Sequence, residues 1–216
     1  MKIPAPIINE PALYDLTDDD AACIEAGAVH EARRYTEADL ADRELSGTEF
    51  SVCEFRGLHV DDAQLLGARF TETRIARLTA TNLRAARTTW RDAVIEASRI
   101  GAAELYDADL HSVRISGTKI SFANLRGARL RDVFFDDCVI DELDLSQARA
   151  ERVAFGNTVV RTLLVDHAQL KHVDLRGLEL GSFSGVEFLR GAVISARQAA
   201  ELSGAFARHL GVAVAD

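Results

Sequence analysis

The chain has 216 residues, a formal net charge of −9 and 48% hydrophobic residues. This length suits one domain with additional terminal elements. No apolar run approaches the roughly 18 residues of a membrane span and no secretory signal opens the chain, so we expect a cytoplasmic protein that does not contact a membrane. The negative net charge also argues against direct binding of nucleic acid.

Residues 1–27 are predicted to form an N-terminal cap that is extended or helical. All three prolines of the chain lie in this segment, and proline is disfavoured inside a strand ladder because it lacks an N–H. Thr17 is followed by three aspartates, which is typical of a helix start. We therefore expect a short helix near residues 18–26 that ends at Gly27.

A five-residue hydrophobic period runs from Leu40 to Leu180. Of the 29 residues at this spacing, 26 are large and apolar, whereas the residue before each is mostly polar, so composition alone does not produce the pattern. A period of five matches neither the 3.6-residue turn of a helix nor the alternation of a strand. It requires a chain that turns a corner every five residues, so that each centre and the residue two before it point into a stacked core.

This pattern resembles the pentapeptide-repeat family, whose consensus is roughly A-(D/N)-L-x-x. The clearest copies are Ala108-Asp109-Leu110, Ala123-Asn124-Leu125-Arg126-Gly127 and Ala128-Arg129-Leu130. The resemblance implies an all-β solenoid, a right-handed quadrilateral β-helix with four pentapeptides per coil, which we place at residues 28–194. Four repeats per coil would give about seven coils for these 29 centres.

The inward positions account for several residues that might otherwise suggest chemistry. Cys53 and Cys138 occupy the small inward position, where a thiol acts as a small hydrophobe. Serine and threonine at the same position are expected to bond backbone carbonyls. Aromatic centres twenty residues apart are expected to stack in the core. These are Phe50, Phe70 and Trp90 in one column and Phe135 and Phe155 in another.

The pattern weakens at residues 76–87. Ala80 and Ala85 are small centres, whereas Leu78 and Leu83 are large where a small residue is usual. Either large and small side chains exchange places at constant volume, or the register shifts locally. We favour the exchange.

Residues 195–216 are predicted to form a C-terminal helix and tail. Ser195 and Gln198 have the spacing of a capping box, and Gly211 would end the helix. In gyrase-inhibiting members of the family such an end-piece joins two molecules into a dimer. Here a simple lid over the core is the alternative.

No catalytic, metal or cofactor site is predicted. The six histidines are scattered, no paired cysteine spacing exists, and no phosphate-binding or nucleophile motif is present. A solid core also leaves no interior pocket for a substrate. We therefore expect a protein that is not an enzyme.

The function expected from the sequence is a bacterial scaffold or protein-interaction module whose partner is unknown. The alternative, implied by resemblance to the Qnr-type quinolone-resistance members, is a DNA mimic that binds and inhibits DNA gyrase. Such a mimic needs dense negative charge, because duplex DNA carries one charge per ~1.7 Å. The best acidic cluster consists of Asp132, Asp136, Asp137, Asp141, Glu142 and Asp144.

An outward apolar patch is less expected in a solenoid. Phe134, Val139, Val159 and Leu164 all fall at positions that should face solvent, and exposed apolar patches usually mark a contact. Three readings remain open: the chain's own termini cover the patch, a partner or second copy binds it, or it has no role.

Overall fold

The strands pair in parallel, each with the strand one coil away. Paired residues lie 20 positions apart except at the two ends, where the offset is 16 between Thr17 and Arg33 and 19 between Val173 and Ala192. Leu110, for example, lies beside Trp90 on one side and Leu130 on the other. Because the repeat has five residues, a 20-residue coil has four sides. The computed structural model describes residues 3–214 of the chain. The predicted β-solenoid is confirmed as a column of parallel strands.

The strands have the following bounds: β1 Thr17–Asp18, β2 Val29–Glu31, β3 Arg33–Asp39, β4 Glu49–Ser51, β5 Glu54–His59, β6 Arg69–Thr71, β7 Arg74–Arg84, β8 Thr89–Glu96, β9 Arg99–Glu104, β10 Asp109–Ser116, β11 Lys119–Asn124, β12 Arg129–Asp136, β13 Val139–Asp144, β14 Arg149–Gly156, β15 Thr158–Leu164, β16 Gln169–Lys171, β17 Val173–Asp174, β18 Leu178–Ser184 and β19 Ala192–Val193.

The solenoid has about nine turns, not the predicted seven. Pairing begins with β1 on β3 and ends with β19 on β17, so it extends beyond the periodic stretch at both ends. The outermost coils keep the backbone ladder but lack the regular apolar centres. A count of centres therefore misses them.

The helix expected near residues 18–26 is not present. A single 3-10 turn, Ala21–Cys23, follows β1, and the Asp20 carboxylate caps it by accepting a hydrogen bond from the N–H of Ala22. Ile24 directly after this turn is fully buried and begins the hydrophobic core. The backbone at Ile24 is extended, with φ −76° and ψ 122°, so the helical path ends there.

The predicted aromatic stacks are confirmed. Ring centroids lie 5.2 Å apart for Phe50 and Phe70 and 4.0 Å apart for Phe70 and Trp90. Phe135 and Phe155 stack at 5.1 Å in a second column. Such near-parallel stacking of buried rings adds to the free energy from area burial.

The small inward side chains also behave as predicted. Cys53 and Cys138 are buried, and burial raises the pKa of both thiols. The inward hydroxyls donate to backbone carbonyls, as Thr88 does to Ala85 at 2.7 Å and Thr158 to Gly156 at 2.8 Å. These bonds satisfy polar groups inside an otherwise apolar core.

The weak zone keeps its register. Leu58 pairs with Leu78, and Ala80 pairs with Ile100, both at the 20-residue offset. Leu78 and Ala80 are both buried. Large and small side chains have therefore exchanged places without a shift in pairing, which is the alternative that we favoured from the sequence.

Corners of the coil commonly place a residue in the left-handed backbone region. In one column the φ angles are 51° at Asp92, 59° at Ser112 and 56° at Asp132. From Asn82 onward one corner of each coil is different, because its residues do not have positive φ; they are Asn82, Ala102, Phe122, Glu142 and Thr162. The coils thus combine sharp turns with one gentler bend.

A helical lid closes the C-terminal end. Helices α1 (Ala196–Glu201) and α2 (Ser203–His209) replace the single helix that was expected, with a break after Leu202. The predicted capping box of Ser195 and Gln198 is present. Apolar residues before α1 pack against the end of the core; they are Phe183, Phe188, Leu189, Ala192 and Ile194.

Candidate interaction surfaces

Four outer faces present the side chains that a partner could reach. We name each face by the core residue that it contributes to one coil: the Leu130 face, the Phe135 face, the Ile140 face and the Leu145 face. On every face the outward side chains form columns along the solenoid axis, because pairing is in register from coil to coil.

The N-terminal segment lies along the Phe135 face, and we call residues 3–13 the arm. The backbone N–H of Ile7 donates to Oδ1 of Asp132 at 3.0 Å, and that of Asn9 donates to Oγ of Ser112 at 2.8 Å. The Asn9 side chain donates to Asp92 at 2.9 Å. The arm therefore follows one corner column across three coils.

Glu10 of the arm bridges two arginines in different coils. Its carboxylate lies 3.1 Å from Arg74 and 2.8 Å from Arg114. Val94 pairs with both of these arginines and stands between them at an outward position. Val94 is nevertheless fully buried, and Pro11 is buried as well. The arm therefore shields an apolar outward side chain.

The predicted apolar residues are distributed over three faces. Val139 and Val159 are register partners on the Ile140 face, and Val139 is 37% exposed. Phe134 lies on the Phe135 face and Leu164 on the Leu145 face, and both are half-buried. Only the Val139–Val159 pair lies side by side on one face.

The predicted acidic residues do not form one exposed surface. Asp132 and Asp144 are buried, and Asp132 accepts hydrogen bonds from Arg152 Nε and Nη2, both at 2.6 Å. Asp144 pairs with Arg126 at 3.2 Å, and Asp141 pairs with Arg161 at 3.0 Å. Asp136, Asp137 and Glu142 complete the set, and Asp137 accepts a hydrogen bond from the side chain of Asn157. Half of these carboxylates are thus neutralised by arginine. This arrangement gives little support to the hypothesis that the protein is a DNA mimic.

Asp132 is the most strongly engaged of these carboxylates. Burial by itself would raise its pKa, but the hydrogen bonds from Arg152 and the N–H of Ile7 outweigh burial, and its pKa lies below the ordinary value of 3.8. The charged form is therefore favoured in the folded protein. Its role is structural, since it ties the arm to the coils.

A basic groove on the Leu130 face is the feature that sequence reasoning missed. Arg129 and Arg149 are register partners in one column, and Arg131, Glu151 and Lys171 follow one another in the next column. The groove between the columns has a volume of about 320 Å³. Arg131, Glu151 and Lys171 form a ladder of alternating charge, but the neighbouring column of Arg129 and Arg149 makes this surface cationic. The 20-residue spacing of Arg129 and Arg149 was the sequence feature that could have predicted this groove.

Metal ligands are not clustered in the part of the chain that the structure describes, since no group of three His, Cys, Asp or Glu side chains is placed to hold an ion. His167 contacts Phe188, with ring centroids 4.6 Å apart. Among residues 3–214, no helix has the length and apolar character needed to cross a bilayer.

The family comparison agrees with this architecture. Residues 119–156 match the family model described as pentapeptide repeats, in eight copies. The resemblance noted in the sequence is therefore confirmed, and residues 119–156 of this chain are pentapeptide repeats. A search of the curated proteins found no match.

Two solved structures are similar to parts of this chain. The first is full-length QnrB1, a plasmid-mediated fluoroquinolone resistance protein, with 18% identity, coverage of 88% of this chain and 94% of that chain, and a TM-score of 0.34. The second is HetL of the cyanobacterium Nostoc sp. strain PCC 7120, a pentapeptide-repeat protein involved in regulation of heterocyst differentiation, with 17% identity, coverage of 80% and 93%, and a TM-score of 0.27. Identities and TM-scores this low do not assign a function.

Proposed function

We propose that this protein is a non-catalytic interaction module that binds a protein partner through the Ile140 face. The observation that carries the proposal is the Val139–Val159 pair, in which two valines stand side by side at outward positions and Val139 is 37% exposed. Outward valine in a solenoid contributes nothing to the core. Single exposed apolar residues are common on protein surfaces, whereas adjacent ones at outward positions are candidates for a contact surface.

The rest of the fold supports a binding role. The inward side chains pack into one continuous core, and the groove described above lies on an outer face. The contacts of the arm lie on the Phe135 face, and the lid occupies the C-terminal end. The Ile140 face therefore remains available for a partner.

A capture experiment tests this proposal. Tagged wild-type protein and the Val139→Glu/Val159→Glu variant would be used to capture proteins from cells that express the chain naturally. We expect a specific partner, or a second copy of the chain, that the variant loses, because two buried carboxylates at an apolar contact are unfavourable. Thr79→Glu alters the same outward column several coils away and should retain the partner.

Two results would contradict the proposal. If wild type and variant retain the same proteins, the valine pair is not the contact. If wild type captures nothing that the bare tag does not, the interaction role itself is wrong. Size-exclusion chromatography of both proteins separates self-association from binding of another chain.

A further inference from the structure

The basic groove on the Leu130 face is a second candidate binding site, and it does not depend on the contact proposed for the Ile140 face. Arg129 and Arg149 form one wall, and Arg131, Glu151 and Lys171 form the other. All four cationic side chains are exposed. The floor is the strand backbone at Leu130, Ala150 and Leu170.

The one carboxylate in these walls is already neutralised. Glu151 lies 2.8 Å from Nζ of Lys171 and 2.9 Å from Nη1 of Arg152. Hydrogen bonding with Lys171 is the main reason that the pKa of Glu151 is lowered. Among the described residues, Arg129 and Arg149 form no ion pair. Asp109 precedes Arg129 in its column, but the two form no ion pair among the described residues.

This arrangement departs from the usual pairing in the solenoid. Cations here commonly face a carboxylate one coil away, as in the pairs Arg34–Glu54, Arg161–Asp141 and Lys171–Glu151. Arg149 instead faces Arg129 on one side and Gln169 on the other, whereas Arg129 has Asp109 on its other side. Adjacent strands are about 4.8 Å apart, and like charges directly opposite each other are destabilising. An anion between the two columns would remove this repulsion.

The charge and length of the groove indicate the class of ligand. Its walls carry four positive charges and one negative charge, a net of +3 in a chain whose net charge is −9. Three coils span about 10 Å, which is the length of three extended residues. A long nucleic acid would meet the negative remainder of the surface, whereas a short segment would meet only the groove. Arginine guanidinium groups also bind carboxylates through two parallel hydrogen bonds.

We propose that the basic groove binds a short acidic segment of a partner polypeptide, with Arg129 and Arg149 as its principal contacts.

The test uses the full-length chain and a fluorescein-labelled hexaglutamate peptide, followed by fluorescence anisotropy. Hexaglutamine is the uncharged control peptide. We expect Arg129→Gln/Arg149→Gln to weaken hexaglutamate binding by about tenfold for each arginine removed, the effect of losing a charge-assisted hydrogen bond. The melting temperature of this variant should not fall, because the substitution removes repulsion.

A matched control is present on the Ile140 face. Arg99 and Lys119 are also register partners in one outward column, but Gly101 and Ser121 occupy the column beside them. Arg99→Gln/Lys119→Gln removes the same total charge and should leave peptide affinity unchanged within about twofold, since exposed charges at a distance are screened by salt.

Three results would overturn the proposal. Equal loss of affinity in both double variants would mean that net charge, not the groove, attracts the peptide. Absence of hexaglutamate binding to the wild type would exclude an acidic segment. Tighter binding of an oligothymidylate than of the peptide, lost in Arg129→Gln/Arg149→Gln, would assign the groove to nucleic acid. None of these results bears on the valine pair, so each proposal can fail alone.

Discussion

The backbone N–H of Ile7 donates a hydrogen bond of 3.0 Å to Oδ1 of Asp132, which lies 125 residues further along the chain. The same carboxylate receives two hydrogen bonds from Arg152 in the next coil. Asp132 thus joins the arm to two coils of the solenoid.

We expect Asp132→Asn to lower the free energy of unfolding by about 2 kcal/mol at neutral pH, because charge-assisted hydrogen bonds to a buried carboxylate are lost. The folded pKa of Asp132 lies below the ordinary value of 3.8. The Asp132 carboxylate therefore contributes its full share to the free energy of unfolding above the pKa that it has in the unfolded chain. This contribution is lost as the pH falls through its lower pKa in the folded protein.

Urea denaturation of the wild type and Asp132→Asn across this acidic range checks the prediction. The difference between the two proteins should shrink as the pH falls. Asp137→Asn, at an exposed neighbouring position, should show only a small difference at any pH. A difference for Asp132→Asn that persists unchanged to the lowest pH would contradict this account.

The arm makes a second prediction, which concerns Val94. We expect Val94→Ala to lower the free energy of unfolding by about 2 kcal/mol, because the removed methyl groups are fully buried and leave a cavity beneath the arm. The same substitution at Val139, which is also outward but exposed, should change it by less than about 1 kcal/mol. Chemical denaturation measures both, and equal effects would show that the arm does not shield Val94 in solution.

A third prediction concerns backbone strain at Val52. This residue has a φ of 53°, and a β-branched side chain is poorly suited to the left-handed region. We expect Val52→Asn to stabilise the protein by about 1 kcal/mol, since asparagine adopts this conformation more readily. Val29→Asn, in an exposed strand, relieves no strain and serves as the control. A lower melting temperature for Val52→Asn would mean that packing of the valine outweighs its strain.

The fourth prediction concerns the lid. The Gln198 side-chain amide donates to the carbonyls of Leu175 and Leu178, both at 2.7 Å, and it is buried. We expect Gln198→Ala to destabilise the protein by about 2 kcal/mol, because both carbonyls lose a partner at the end of the core. Hydrogen exchange should accelerate in β18 and α1 in particular.

Arg197→Ala is the matched control for the lid, since Arg197 is exposed and pairs with Glu201 across one helical turn. Its effect should be small, as exposed pairs of this kind contribute little. Comparable exchange in both variants would argue against the role given to Gln198.

The five-residue period determined by itself which side chains are inside. Phe50, Phe70 and Trp90 stack as the spacing requires, and Ala80 exchanges volume with Leu78 without a slip. The reason is local: once the chain turns a corner every five residues, the direction of each side chain is fixed by its position in the repeat.

The tertiary structure alone decided what covers or faces each outward position. Val94 looks exposed in the repeat but is buried, and Glu10 lies across it through bonds to Arg74 and Arg114. Polar contacts of the arm carry no periodicity, so the sequence did not locate them. The nearness of Arg129 to Arg149 likewise has meaning only when coils stack in register, because strand pairing brings residues 20 positions apart to about 4.8 Å.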